Sequence, residues 1–269
     1  MMKRQINYKL LAILLTALIL GVGGAFLLHS WQTGCHARTL MAEARQAEME
    51  GRLDHAARSL QRYLVFAPED NAARARYGEM MEQLATSNHE RWRAVAVYEQ
   101  VLYREPSRHD IRRRLALLAV RLGWTSEAQK HLEILLRDHA QGDLEGLLGQ
   151  CQEDAGDYPR AAASYQNALR ADPHQVNIYI RLADLFQHHL DQPEKASRVL
   201  DDLVQNNDHA AEAYLARAIH RMNAGSLAEA GQDMARACEL GPDNSHVLLT
   251  AADLARRRGR LDEAYRCLW

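Results

Sequence analysis

Seven alanines, Ala56, Ala94, Ala128, Ala161, Ala196, Ala230 and Ala264, recur at spacings of 38, 34, 33, 35, 34 and 34 residues. Such a period marks a repeat array, in which each unit is one supersecondary element that buries its apolar face against its neighbours. A small residue stands upstream of each alanine, in turn Ala44, Gly78, Ala116, Gly149, Ala183, Ala218 and Ala252. Two small residues per unit predict two helices in close contact. Glycine falls five residues before the alanine in five units, as Gly51, Gly123, Gly156, Gly225 and Gly259, where a chain leaving a helix needs positive φ at little steric cost. Each unit therefore reads as helix, tight turn, helix. Four residues after each alanine comes a larger apolar residue, Leu60, Tyr98, Leu132, Tyr165, Leu200, Met234 or Leu268, and the i, i+4 geometry places it on the same, buried face.

All six prolines fit this frame. Pro68, Pro106, Pro173 and Pro242 fall twelve residues after a repeat alanine, where they end the second helix. Pro159 and Pro193 fall at its start, where the missing N–H costs nothing. The pattern resembles the tetratricopeptide repeat (TPR) family: Leu148-Gly149, Gly156-Asp157-Tyr158, Ala161, Tyr165, Ala168 and Pro173 follow its consensus. The resemblance covers residues 37–269, about seven repeats, and implies an all-α, right-handed superhelical α-solenoid. Pentatricopeptide repeats are near neighbours, and Gly259-Arg260-Leu261-Asp262-Glu263-Ala264 would suit them, but the recurring proline and the Leu-Gly pair favour TPR. Their RNA-binding role also sits poorly with a net charge of −2 and a pI near 6.7, since phosphate neutralisation needs a basic surface.

Three units depart from the pattern. The second is long by four residues in its turn, Ala85 to Arg91, where Ser87-Asn88-His89-Glu90 has the form of a capping box that restarts the helix. The third and fifth carry Ala140 and Asp208 where proline is usual; the fifth also replaces the turn glycine with Leu190 and adds a residue. Looser turns are expected there, within the same fold.

Leu10 to Leu28 is a run of nineteen residues without a charge, which as a helix spans ~28 Å, close to the ~30 Å hydrocarbon core of a bilayer. Twelve of its residues are Leu, Ile, Val or Phe, together about −4 to −7 kcal/mol on the insertion scale. A transmembrane helix is expected at 10–28, after a cytoplasmic tail at 1–9 and before a juxtamembrane linker at 29–36. A cleaved signal peptide competes, with Lys3, Arg4 and Lys9 as its charged region, but the run exceeds the usual apolar length and no A-x-A follows. Gly34-Cys35 faintly matches a lipoprotein box, although Gln32 stands where Leu is expected. Three basic residues precede the run and Arg38 is the first beyond it, so the positive-inside rule places the N-terminus in the cytoplasm and the repeats outside. Trp31 marks the far interface, and the eight-residue linker reaches no more than ~29 Å. Gly21 and Ala25 form a small-xxx-small pair suited to helix dimerisation or, more simply, to lipid contact. The expected location is a single-pass position in a bacterial inner membrane.

With 47% hydrophobic and 25% charged residues, the rest of the chain can bury a continuous core between neighbouring repeats. Cys35, Cys151, Cys238 and Cys267 show neither metal-ligand spacing nor C-x-x-C; the last three fall within predicted helices, as small buried residues do. No G-x-S-x-G, H-E-x-x-H or phosphate loop is present, and Gly21-Val22-Gly23-Gly24 lacks the third fingerprint glycine because Phe26 stands there. His188-His189 is the only histidine pair, and adjacent residues diverge by about 100° on a helix; solvated turn histidines are expected. No catalytic residue, metal or cofactor is expected.

In TPR proteins the first helices line a concave groove, and the resemblance implies that residues at set positions along them contact a protein or extended peptide. The third unit then offers Asp110, Arg113, Arg114, Leu117, Val120 and Arg121; the fourth offers Asp143, Gly146, Leu147, Gln150, Glu153 and Asp154. Arg181 and Asp184 follow in the fifth, and the apolar Leu215, Ala216, Ile219 and Met222 in the sixth. Basic gives way to acidic between neighbours, which suits a bipolar segment, while the same charges also suit pairing between stacked helices. The carboxylate clamp for chaperone tails needs Lys and Asn where Met41 and Arg45, Ala75 and Glu79, and Arg113 and Leu117 stand here, so a chaperone-tail receptor is not expected.

The expected function is that of a non-catalytic, membrane-anchored scaffold in envelope assembly, with no nucleic acid partner. The alternative is the targeting part of a longer multidomain enzyme or secretion component. Ala264 opens a second helix that has run only about two turns at Trp269, leaving Leu254, Leu261, Leu268 and Trp269 uncovered. Further repeats or another domain beyond residue 269 are therefore expected.

Overall fold

The computed structural model describes residues 31–32, 34–137 and 141–260, and every regular element among them is helical. The expected membrane span at 10–28, Ala140, Cys267 and the second helix of the seventh unit lie outside the described residues. None of the described helices is long and apolar enough to cross a membrane. The chain forms two compact units, residues 1–118 and 119–269.

In the first unit, α1 (34–49), α2 (Leu53–Phe66), α3 (Asn71–Leu84) and α4 (Asn88–Arg104) precede α5 (His109–Arg121), which spans the division between the units. The second continues with α6 (Thr125–Leu136), α7 (Gly142–Asp154), α8 (Tyr158–Ala171) and α9 (Val176–Asp184), then a π-helical turn at Leu185–His189. It is completed by α10 (Pro193–Asn206), α11 (Ala211–Asn223), α12 (Leu227–Leu240) and α13 (Ser245–Arg257). The helix pairs coincide with the predicted repeats. α2, α4, α8 and α12 each end two residues before the proline expected to stop them, and Pro193 and Pro159 are the first and second residues of α10 and α8.

The small residues sit where helices touch. Ala44, Ala56, Leu60, Ala73 and Met80 share a core in the first unit. In the second, Ala161, Tyr165, Ala183, Ala196 and Leu200 share one cluster, and Ala218, Ala230 and Met234 another. Bulk is exchanged across the pair: a Cβ on Gly78 would stand 2.7 Å from the Tyr98 ring, and one on Gly149 would stand 2.5 Å from the Tyr165 ring. Glycine appears where the partner is tyrosine, and alanine where it is leucine or methionine, as close packing at fixed interhelix distance requires.

All five turn glycines adopt positive φ, from 71° at Gly51 to 82° at Gly225. In each turn the N–H of the following residue donates to a carbonyl five residues back, for example Asp157 to Gln152 at 2.8 Å and Ser226 to Arg221 at 2.9 Å, which satisfies the end of the first helix. The fifth unit, expected to be looser, is instead closed one residue wider. Its added residue is absorbed as the π turn, Gln192 donates to Phe186 six residues back at 2.8 Å, and Asp191 takes the left-handed conformation at φ 51°. Leu190, at φ −111°, does not occupy the glycine's place.

The second unit's long turn is shorter than expected. Ser87 and Glu90 form the complete capping box, and α4 starts at Asn88 and runs 17 residues, so the extra chain is helix. Backbone and side-chain hydrogen bonds from Thr86, then from Ser87, hold the Glu90 carboxyl down at about 2.

Candidate partner-binding cleft

Two of the predicted groove cations are built into the repeats. Arg181 on α9 places Nε 3.0 Å from the Glu153 carboxylate on α7 and 3.0 Å from the Tyr165 hydroxyl on α8; that hydroxyl donates to Glu153 at 2.6 Å. Burial, and then the bond to Glu153, pushes the Tyr165 phenol well above its ordinary value, so it stays a donor. The first unit repeats the arrangement, with the Tyr98 hydroxyl donating to Glu82 at 2.7 Å and Arg114 Nη1 3.4 Å from Glu82 and Nε 3.5 Å from Glu79. These polar brackets tie one helix pair to the first helix of the next. For Arg114, Glu153 and Arg181 the sequence left two readings, partner contact or pairing between stacked helices; the structure pairs them within the chain, because a tyrosine hydroxyl at the helix contact needs a polar mate.

The next contact along the second unit differs at every bracket position. Leu200 stands where Tyr165 does in its repeat, Gln187 where Glu153 does, and Ala216 where Arg181 does. All three line a cleft of about 690 Å³ among α9, the π turn, α10, α11 and the start of α13. Its apolar surface comes from Ile180, Ala183, Leu200, Leu215, Ala216 and Ile219; Ile180 is 37% exposed, whereas Leu215 is 4% exposed and forms the floor. Three carboxylates, Asp184, Glu194 and Glu212, line it too, with neither lysine nor arginine among the lining residues. A smaller cleft of about 200 Å³ lies in the first unit beside Tyr77, Met81 and Leu84.

Four of the predicted groove residues, Asp184, Leu215, Ala216 and Ile219, thus meet in one cleft. Met222 does not: it takes the Glu153 place in its own repeat and packs with Met234 and Val247 in the core, 5% exposed. Its apolar character comes from core packing and not from partner contact. Arg113 is half-buried, Arg121 exposed, Gln150 half-buried and Asp154 exposed at the end of α7; both arginines have interactions of their own. Arg113 and Arg114 belong to the first unit and the others to the second.

The histidines at the cleft are what sequence patterning missed. His188, His220 and His246 all line it, although they stand at unrelated positions in their repeats. His188 Nδ1 lies 2.9 Å from Asp184, and His220 Nε2 lies 2.8 Å from the Ser197 hydroxyl, itself 3.1 Å from the Pro193 carbonyl. Burial, then the Arg221 charge, pushes His220 below its ordinary value against the pull of Asp201. His189, the other half of the pair, stacks on Tyr158 at 3.9 Å. The i, i+4 spacing of Asp184 and His188 was the one legible signal. Among the described residues no group of three or more His, Cys, Asp or Glu could hold a metal ion. Cys151 is buried in α7, which pushes its thiol up to about 11, and Cys35 is exposed.

Two tetratricopeptide repeat family models match residues 153–219 and 113–176. These matches support the tetratricopeptide repeat family. Solved TPR-like structures agree in fold. The C-terminal part of a TPR repeat-containing protein from Cytophaga hutchinsonii is 16% identical, covering 87% of this chain and 97% of its own, with a TM-score of 0.63. MamA from Desulfovibrio magneticus RS-1 is 17% identical, covering 64% of this chain and 96% of its own, with a TM-score of 0.54. YrrB, described as a TPR protein with an unusual peptide-binding site, is 18% identical, covering 72% and 98%, with a TM-score of 0.53. No curated protein sequence matches significantly. Identities this low carry the fold and nothing about partners.

Proposed function

We propose that this chain is a non-catalytic TPR scaffold that holds a protein or extended peptide in the cleft among α9, α10, α11 and α13. The observation that carries this reading is the opening of about 690 Å³ where a polar bracket closes the preceding helix contact. A pocket of this size with an apolar floor and a few polar groups at its edge suits the side chains of a docked segment. The peptide-binding site described for YrrB fits the same reading. The uncharged run at 10–28 and the basic residues before it support a single-pass inner-membrane anchor with the N-terminus in the cytoplasm and the repeats outside, so the partner would be held near the membrane during envelope assembly.

Affinity purification of the full chain in detergent, beside Ala216→Trp, tests the reading. One or more proteins should co-purify with the unmodified chain and be lost when the indole fills the cleft, with helicity unchanged. Equal recovery from both would reject the cleft as the docking site. A membrane-impermeant thiol reagent tests the topology: it should reach Cys35 in spheroplasts, and labelling only after lysis would reverse the orientation.

A further inference from the structure

The cleft's chemistry selects its occupant. Its floor is apolar, formed by Leu200, Leu215 and Ile219; its acidic side chains are Asp184, Glu194 and Glu212, and no lysine or arginine lines it. Nearby cations are directed elsewhere. Arg181 is held by Glu153 and Tyr165, Arg217 and Arg221 by Asp233 and Asp201, and Lys195 lies over the Phe186 ring at 5.5 Å. An acidic segment would meet three carboxylates without a cation, whereas a basic one would pair with them.

The same cleft carries three histidines, on three different elements: His188 on the π turn, His220 on α11 and His246 on α13. Histidine is the side chain whose charge changes between pH 5 and 8. The charged groups facing them are Asp184 from α9, Glu194 and Asp201 from α10, and Glu212 and Arg221 from α11. Protonating all three histidines would set three new positive charges against the three carboxylates.

We propose that the cleft receives an extended segment whose large apolar side chain enters over Leu200, Leu215 and Ile219 and whose flanking Lys or Arg side chains pair with Asp184, Glu194 and Glu212, and that protonation of His188, His220 and His246 releases it. The inference rests on the cleft being the partner site. It adds the charge of the partner and the signal that discharges it.

Fluorescence anisotropy of the full chain in a non-ionic detergent tests it, with a fluorescein-labelled heptapeptide that has a central leucine flanked on each side by two lysines. Binding at pH 7.5 should weaken roughly tenfold at pH 5.5, as expected for loss of a few exposed pairs. Glutamate in place of the lysines, or serine in place of the leucine, should also weaken it. The triple variant His188→Gln, His220→Gln, His246→Gln should bind equally at both pH values, and Glu194→Gln with Glu212→Gln, at two exposed positions, should weaken binding at pH 7.5 with the far-ultraviolet dichroism unchanged. Tighter binding of the glutamate peptide, indifference to the leucine, or a pH dependence that survives the triple variant would overturn the proposal. Should neither peptide bind while Ala216→Trp still abolishes co-purification, only this inference falls; should Ala216→Trp leave co-purification intact, the cleft reading falls with it.

Discussion

In the contact between the α7–α8 pair and α9, Tyr165, Glu153 and Arg181 close on one another within 3.0 Å. One repeat later, between the α9–α10 pair and α11, the same three positions hold Leu200, Gln187 and Ala216, and about 690 Å³ stands open. The backbone plan is common to both: a small residue on the first helix, a larger one on the second, and a left-handed turn between them. What differs is whether the larger residue ends in a hydroxyl. Tyrosine demands glycine opposite it and a polar mate at its tip; leucine accepts alanine, demands no mate, and leaves the space beyond its methyl groups to something else. A repeat array can therefore open a cleft by relaxing one interlocked triplet, without altering its period.

The largest effect should come from breaking the volume exchange on the closed side. Gly149→Ala would place a methyl 2.5 Å from the Tyr165 ring and should cost about 1 to 3 kcal/mol in urea denaturation. Adding Tyr165→Leu should recover much of the loss, because it recreates the Ala183–Leu200 combination. No loss in the single variant would show that tyrosine does not need glycine opposite it. Tyr165→Phe keeps the ring and removes the hydroxyl, leaving Glu153 and Arg181 to each other, and should cost about 1 kcal/mol; Leu200→Met on the open side has no such bond to lose.

The wider turn of the open side offers a smaller test. Asp191 holds φ 51°, a conformation glycine reaches without strain, so Asp191→Gly should stabilise by about 0.5 kcal/mol, in contrast to Gly156→Ala, which should destabilise by about 1 kcal/mol. Thermal melts of the two variants decide it. The smallest effect is the pH dependence contributed by His220. Its folded-state value lies below the ordinary 6.5 because of burial, so the unfolded chain takes the proton first. That contribution is intact above the unfolded-state value and declines as pH falls towards the folded one. The melting temperature should drop between pH 7 and 5.5, by less in His220→Gln.

The repeat frame was legible because it rests on backbone demands. Gly51, Gly123, Gly156, Gly225 and Gly259 were read as left-handed turn residues and are so, and Ser87 with Glu90 forms the expected cap. Leu190 was one residue out of frame: Asp191, five residues before Ala196, holds the left-handed turn position, and the added residue is absorbed upstream of it as the π turn. Family groove positions include four residues that line one cleft, Asp184, Leu215, Ala216 and Ile219. They could not tell that Arg114 and Arg181 serve tyrosine brackets, since the brackets join residues 12 to 32 apart. Met222 failed for a related reason: an apolar residue at a groove position looks alike whether a partner or Met234 covers it. His220 and His246 gave no signal at all, because cleft membership follows from the stacking of three helices and not from any spacing within one.

If the cleft is open to a partner because its bracket is missing, installing the bracket should close it. A photo-crosslinking amino acid at Asn177 or Asn223, both exposed at the cleft, should give a discrete adduct in cells, whereas one at Arg198, exposed and away from the lining, should not. Combining Ala183→Gly, Gln187→Glu, Leu200→Tyr and Ala216→Arg should abolish that adduct while helicity is retained. An adduct that persists undiminished in the folded, bracket-bearing chain would contradict the account.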